Sequence, residues 1–377
     1  MAGKLLETIA GAHSGRSFAN SAKIASISQH SLIKPESVQE INTFADLTSL
    51  PKLPLLTSFK EHTRAFLKVQ DGCDGLCTYC IVPKVRLDVR SKPLFEAVLE
   101  AKALVAAGHK EIVVTGVNLG AYGRPARISL HEVSRNSNDC GVSATLRESS
   151  LSVLLGRLAE VEGLRRIRVS SLEPGDISEG LLDVFCSHTN IMPHIHLSVQ
   201  SGSDAILKRM CRQYGAAELR EKIELIKRRL DRPAITCDII VGFPGETEED
   251  FQATVELAKW AGFSKMHIFP FSARMGTAAA KMKDKIQPKV VKERAEILRR
   301  LGGELGFKFR EQFVGETCEV LLEDTEPISG RCERYFVVKV QPNGQKLEKN
   351  SIVRAKIIKN RDDCMMRPLK NRHDYKE

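Results

Sequence analysis

A chain of 377 residues has room for about two or three domains of ordinary size. Its net charge of +10 favours a polyanionic partner such as nucleic acid, although a merely basic soluble enzyme fits that balance equally well. One Trp and five Tyr argue against an aromatic-rich binding surface; no run approaches the ~18 apolar residues of a membrane span, and ten cysteines in so long a chain do not make a disulfide scaffold.

Residues 1–60 are irregular, with short amphipathic pieces broken by Pro35, Pro51 and Pro54, and read as a linker or the remnant of something larger. They lack the apolar core of a secretory signal, and a Ser/Ala-rich, acid-poor start leaves an organelle transit peptide open. From about residue 61 short β-branched runs alternate with helical patterns. Strands are expected at 65–70, 111–116, 166–171, 194–199, 234–242 and 266–271, with helices at 94–108 and 216–230 between them. In the second helix Leu219, Ile223, Ile226 and Leu230 share one face. Six such units predict an α/β fold with a parallel sheet, a partial (β/α)6 barrel over 61–312, and chemistry at the carboxyl ends of its strands. The polar, aperiodic stretch 124–150 reads as a loop insertion, and 287–312 as a basic helix that closes the barrel. Residues 313–370 carry short strands and turns, which predict a small β-barrel. Lys339, Lys346, Lys349, Arg354, Lys356, Lys359 and Arg361 give it a basic flank suited to RNA backbone, or simply a solvated charged face.

Just after the first strand, VQDGCDGLCTYCIVP places Cys73, Cys77 and Cys80 at C-x3-C-x2-C. Three local thiolates without a fourth suit a cluster that keeps one iron open to a ligand. The alternative is a zinc knuckle that borrows His62 or His109, since structural zinc takes four protein ligands. The other cysteines, Cys140, Cys186, Cys211, Cys237, Cys318, Cys332 and Cys364, show no pairing pattern, which points to reduced thiols in a cytoplasmic setting. Cys237, inside ITCDIIVGF, reads as a core residue. The later strand ends carry TGVNLGAYG with Gly116 and Asn118, SSLEP with Ser170, Ser171 and Glu173, VQSGSD with Gln200, Ser201 and Asp204, and FSARMGT with Ser272, Arg274 and Thr277. Ser203 has an alternative role as a helix cap, and Thr247 and Asp250 have capping-box spacing.

RAFLKVQDGCDGLCTYCIVP, VVTGVNLGAYG, HLSVQSGSDAILKRMCRQY, DIIVGFPGETEEDF and FPFSARMGTAA, in that order, resemble the radical S-adenosylmethionine (SAM) methylthiotransferases over roughly residues 60–368. The wording is most similar to the branch acting on N6-threonylcarbamoyladenosine beside the tRNA anticodon, and the tail resembles the tRNA-binding TRAM barrel. The resemblance implies that Cys73, Cys77 and Cys80 ligate a [4Fe–4S] cluster whose open iron chelates SAM. Gly116, Asn118, Ser171, Glu173 and Gln200 would line the SAM pocket, with Tyr79 packed near it, and Arg274 and Thr277 would face the substrate. One electron from the cluster would cleave SAM, the resulting deoxyadenosyl radical would take hydrogen from C2 of the adenine, and a methylated sulfur would be inserted there. The implied partners are tRNA and an electron donor such as a flavodoxin or ferredoxin, with no membrane and an unknown sulfur donor.

Two departures stand out. Family members carry an N-terminal domain of about 100 residues, with a second cluster on three more cysteines, whereas residues 1–72 here contain no cysteine. A fragment, a late-start gene model or a truncated form would each explain this, and each puts full methylthiolation by this chain alone in question. The Arg-Gly pair usual after the triplet is replaced by VRLDVRS (85–91), which is expected to lose a tight backbone approach. The competing readings are a non-catalytic tRNA-binding protein on a degenerate radical SAM scaffold and a zinc-stabilised binding module.

Overall fold

The computed structural model describes residues 53, 55–57, 59, 62–86, 88–124, 150–342, 344, 346–361 and 363–369. The expected linker at 1–60 and insertion at 124–150 therefore lie almost wholly outside the described residues, as do Cys140 and the side chains of Lys359, Arg361 and Cys364.

Six parallel strand positions carry the α/β part: β1 (Arg64–Asp71), β3 (Glu111–Gly116), β4 (Arg166–Val169) continued by β5 (Ser171–Leu172), β6 (His194–Gln200), β7 (Ala234–Val241) and β8 (Lys265–Pro270). A two-residue antiparallel edge, β2 (Arg90–Ser91), pairs with the end of β1. The strands form two four-stranded sheets, β2-β1-β3-β4 and β5-β6-β7-β8. These meet where β4 gives way to β5, and an isolated Ile167–Ile191 bridge ties β4 to the segment that leads into β6.

Alternation along each strand decides the layers. Leu67, Val69, Ile112, Val114, Ile167, Ile195, Leu197, Ile235, Cys237 and Ile239 are buried under the outer helices. Those helices are α2 (Leu94–Ala106), α3 (Leu151–Ala159), α4 (Glu179–Ser187), α6 (Ala216–Arg229) and α7 (Glu248–Ala261), while the one-turn α1 (Val82–Val85) follows the cysteines. In α6 the expected stripe of Leu219, Ile223 and Ile226 is fully buried. The caps follow the sequence as well: Ser203 accepts from Ile206 N–H at the start of α5 (Asp204–Arg209), and Thr247 and Asp250 form a reciprocal box at the start of α7. The opposite strand faces point inward and are polar, with Arg64, Glu111, Arg166, Arg168, His194, His196, Thr236 and Asp238 among them. A parallel sheet buried against apolar protein on both faces would be apolar throughout; this one keeps polar side chains on its inner face.

The basic helix α8 (Pro288–Glu311) packs along β8, close enough that a side chain at Gly306 would meet the Ser264 carbonyl at 2.9 Å. It leads into a closed five-stranded barrel of order β10-β11-β13-β12-β9. Its strands are β9 (Thr317–Thr325), β10 (Ile328–Cys332), β11 (Val337–Val340), β12 (Ile352–Arg361) and β13 (Asp363–Pro368). Phe309 and Phe313 from the end of α8 join Val320, Leu322, Val338, Ile357 and Met366 in its core. Outward positions on β12 and β13 expose Arg354, Lys356 and Arg367 beside one another, Lys356 being paired in register with Arg367.

This small barrel meets the amino ends of the parallel strands through buried charge. Strand register lines up Arg64, Glu111 and Arg166. Arg168 Nε donates to Glu111 Oε1 at 2.8 Å, while Arg166 Nη1 stands 3.6 Å from Glu111 Oε2. The two guanidinia then donate across to the Arg331, Glu319, Glu333 and Cys332 carbonyls at 2.6–3.0 Å. Tyr335 stacks on His194 at 4.2 Å, and the guanidinium carbons of Arg64, Arg168 and Arg331 lie 4.8–5.9 Å from its ring.

Candidate active site

The cysteine loop leaves the carboxyl end of β1 and is held from both sides. Cys73 N–H donates to the Arg86 carbonyl at 3.1 Å, and the Thr78 amide and hydroxyl reach the Met210 and Arg209 carbonyls at 3.0 and 2.9 Å. Ala279 N–H returns to the Thr78 carbonyl at 2.8 Å, and Lys84 donates to the Gly276 carbonyl. Within VRLDVRS, which lacks the Arg-Gly pair, Asp88 comes close to the backbone of Gly72. Gly72 sits at φ +79°, and a Cβ there would lie 1.9 Å from the Asp88 carbonyl oxygen. Asp71 pins the same stretch through Arg86 and Arg90 at 3.0 and 3.3 Å.

Cys73, Cys77 and Cys80 are half-buried. Gly75 lies between two of them: its N–H points at Cys73 Sγ at 3.3 Å, and a Cβ on it would meet the Cys73 and Cys77 sulfurs at 3.1 and 3.9 Å. Burial pushes the Cys73 and Cys80 thiols up from the usual value; the amides of Gly75 and Val82 respectively oppose it. Among the described residues no three His, Cys, Asp or Glu side chains converge tightly enough to chelate a single metal ion. Of the two histidines named for the zinc alternative, His109 is engaged away from the loop: its Nε2 accepts from Phe59 N–H at 3.1 Å, and its Nδ1 lies 3.3 Å from the Thr63 carbonyl, at the amino end of the sheet.

Several expected site residues form a connected network around the loop. Asn118 Nδ2 approaches Cys73 Sγ at 3.9 Å. Arg212 Nη1 lies 3.1 Å from Cys77 Sγ and 3.4 Å from the Tyr79 hydroxyl, while its Nη2 pairs with Glu173 at 2.9 Å. Glu173 is held by its own backbone, its N–H donating to Asp176 Oδ2 at 2.9 Å. Gly116 packs against Gln70, where a Cβ would come within 2.9 Å of that side chain, so its smallness has a structural reason too. Gln200 ends β6, buried, at φ +63°, an unusual conformation for a residue with a side chain. Gln200 and the exposed Ser171 occupy neighbouring strand ends, but the structure does not join them to the network. Arg274 is exposed; Thr277 is buried and its hydroxyl donates to the Arg274 carbonyl at 2.7 Å.

Two contributors were missed by sequence reasoning. Gln70 is fully buried; its Nε2 donates to the Asp71 and Gly72 carbonyls at 2.9 and 2.8 Å, and its Oε1 accepts from Asn118 N–H at 2.7 Å, tying the cysteine loop to the β3 turn. Arg212 was visible only as part of the run MCRQY. An open cavity of about 660 Å³ lies elsewhere, between α2 and α3, lined by Phe95, Val98, Leu99 and Arg157 among others, and none of the expected site residues lines it.

The sequence profile of the radical SAM superfamily matches residues 67–258. The chain belongs to the radical SAM superfamily. The chain is 36% identical to a threonylcarbamoyladenosine tRNA methylthiotransferase, MtaB, of Bacillus subtilis over 310 residues, which cover 80% of this chain and 64% of that relative. It is 39% identical to the MtaB of Thermotoga maritima over 267 residues, 71% of this chain and 57% of the relative. A tRNA-2-methylthio-N(6)-dimethylallyladenosine synthase of Zymomonas mobilis is 39% identical over 259 residues, 69% and 54% respectively. The chain thus spans 54–64% of the length of these curated relatives. Among the described residues no helix is long and apolar enough to cross a membrane.

Proposed function

We propose that this chain is the radical SAM and RNA-binding part of a tRNA methylthiotransferase acting at C2 of N6-threonylcarbamoyladenosine next to the anticodon. The relatives named for that reaction support the reaction class. The observation that carries the site is the grouping of Cys73 and Cys77 about Gly75, with Asn118 and Arg212 aimed at their sulfurs. That donor set fits a [4Fe–4S] cluster: three thiols, none spent on a disulfide, with N–H groups directed at two of them. Cys73, Cys77 and Cys80 would hold such a cluster without having to converge on one ion. When bound, the cluster and SAM supply one-electron reductive cleavage of the sulfonium.

The chain's own residues would then hold and orient. Cys73, Cys77 and Cys80 bind the cluster and release their protons on doing so. Asn118, Glu173 and Gln200, with Gly116 and Ser171 at adjacent strand ends, receive SAM, and Tyr79 walls the site from the Met210 and Phe243 side. The exposed Arg354, Lys356 and Arg367 of the small barrel contact tRNA phosphates, and an electron donor such as a flavodoxin or ferredoxin docks from outside. In this reading the domains are 61–312 for the α/β barrel and 313–370 for the TRAM-like barrel.

Anaerobic reconstitution tests this. The chain should bind about four irons and form 5′-deoxyadenosine from SAM under reduction, and Cys77→Ala should abolish both. Iron binding that survives Cys77→Ala would refute the site. Iron binding without SAM cleavage, together with tRNA affinity, would instead favour a non-catalytic tRNA-binding protein.

A further inference from the structure

We propose that Arg212 is a positioning residue that sets the reduction potential of the cluster held by Cys73, Cys77 and Cys80. The assignment rests on the cluster reading above and adds a role that the three ligands do not explain. Arg212 follows α5 and turns its guanidinium back toward the cysteine loop, with a side chain only 5% exposed. Hydrogen bonds from Nε and Nη1 and an ion-pair contact from Nη2 share one orientation. Nε donates to the Tyr214 hydroxyl at 2.9 Å, Nη2 pairs with Glu173 at 2.9 Å, and Nη1 reaches Cys77 Sγ at 3.1 Å and the Tyr79 hydroxyl at 3.4 Å. The guanidinium carbon also lies 4.7 Å over the Tyr214 ring, and the Tyr214 hydroxyl donates to the Ser198 carbonyl at the end of β6. Rotating the guanidinium away from Cys77 would break the Tyr214 and Glu173 contacts together.

A buried fixed cation within hydrogen-bonding distance of a ligating sulfur acts directly on electron transfer. Taking up one electron makes the cluster and its thiolates more negative by one charge, and a guanidinium beside one thiolate stabilises that state. Hydrogen bonds to the sulfurs, net charge and solvent exposure are the levers by which a protein sets such a potential. Arg212 supplies the first two and, by its burial, limits the third. Glu173 opposes it: the only carboxylate paired with Arg212 among the described residues is 37% exposed, so it offsets the cation incompletely. The pair therefore predicts shifts of opposite sign.

The test is the midpoint potential of the reconstituted full chain, without SAM, titrated with dithionite and followed by electron paramagnetic resonance, with iron content measured in parallel. Arg212→Gln, which keeps an N–H donor but removes the charge, should shift the potential negative, and Arg212→Lys should shift it less. Glu173→Gln should shift it positive. A merely structural arginine would lower iron loading and leave the potential of the loaded fraction unmoved. Arg212→Gln and Glu173→Gln potentials equal to wild type, or moved in the same direction, overturn the assignment. If Arg212→Gln takes up no iron, Glu173→Gln decides alone, a positive shift supporting the role and none refuting it. A wild-type chain that binds no iron removes the proposed function and this role with it, whereas a loaded wild type with unmoved variants removes this role only.

Discussion

Replacing Glu111 by Gln isolates the charge that joins the two parts of the described structure. Glu111 is fully buried between Arg168 at 2.8 Å and Arg166 at 3.6 Å, with Arg64 at 4.0 Å. At an effective dielectric of about 20, such separations correspond to attractions of roughly 4–6 kcal/mol each before desolvation is counted. Removing the buried carboxylate also removes its own desolvation cost of several kcal/mol, which offsets much of that sum. What stays behind is two buried guanidinia held by carbonyls alone, and breaking a buried pair by deleting one partner typically costs about 3–5 kcal/mol. For a chain of this size that is a melting-temperature drop of roughly 4–6 °C. Because the same guanidinia bond the Arg331, Glu319, Glu333 and Cys332 carbonyls, limited proteolysis should release the C-terminal barrel earlier in Glu111→Gln than in wild type. The assay is thermal unfolding by circular dichroism beside a protease time course. A melting temperature within about 2 °C of wild type, with unchanged proteolysis, would refute the claim that this carboxylate organises the interface.

Gly72→Ala combines a φ of +79° with a Cβ 1.9 Å from the Asp88 carbonyl, so it should displace the cysteine loop and cut iron loading more than several-fold, measured by iron content after reconstitution. Burial first, and then Arg168, His196, Arg331 and Arg64, hold His194 well below the ordinary histidine value; burial first, and then Lys265, bring His267 down to about 4. The unfolded chain therefore takes up these protons first, and stability is fully present above pH ~6.5 and lost as pH falls below it, by up to about 1.4 kcal/mol per pH unit per group. Denaturant midpoints between pH 7 and 5 check this, and His194→Gln should flatten the slope. Arg354→Glu and Lys356→Glu should weaken tRNA binding and reduce the log–log salt slope by about one for each phosphate no longer neutralised, with the α/β part unaffected; an unchanged slope would move the RNA-binding face elsewhere.

Much of the scaffold was legible because it is written locally. The alternation RIRV or HIHLSV marks a strand whichever strand it pairs with, and the α6 stripe, the Ser203 cap and the Thr247–Asp250 box need no tertiary partner. The cysteine triplet was legible for the same reason. What could not be read depends on register and return. That Glu111 lies between Arg64 and Arg166 follows from which residues of three strands stand side by side, and single-strand patterning is silent on that. Arg212 lies 135 positions from Cys77 and meets it only because α5 carries the chain back across the carboxyl ends of the strands. A close approach between Gly72 and Asp88 within VRLDVRS was equally illegible, because it joins two loop segments that only the fold brings together.

The two ends of the parallel strands have opposite chemistry, and this constrains how the lumen can be used. At the amino ends Tyr335 lies flat on His194, and the bonds from Arg166 and Arg168 to backbone carbonyls fasten the small barrel beneath it, so the lumen has a floor of committed groups. At the carboxyl ends the polar groups are less committed among the described residues: the side-chain amide of Asn118 approaches a sulfur at 3.9 Å, Gln200 is strained without a bond to the network, and Ser171 is exposed. Backbone strain and underused polar groups persist where a bound ligand repays them. A small molecule that enters this barrel must therefore come from the cysteine-loop side. On the proposed contact of RNA with Arg354, Lys356 and Arg367 of the small barrel, the RNA must then reach around the α/β part to present a base there. That demand is met by an extended, structured nucleic acid and not by a free nucleoside, so the chain should discriminate strongly between the two in binding assays.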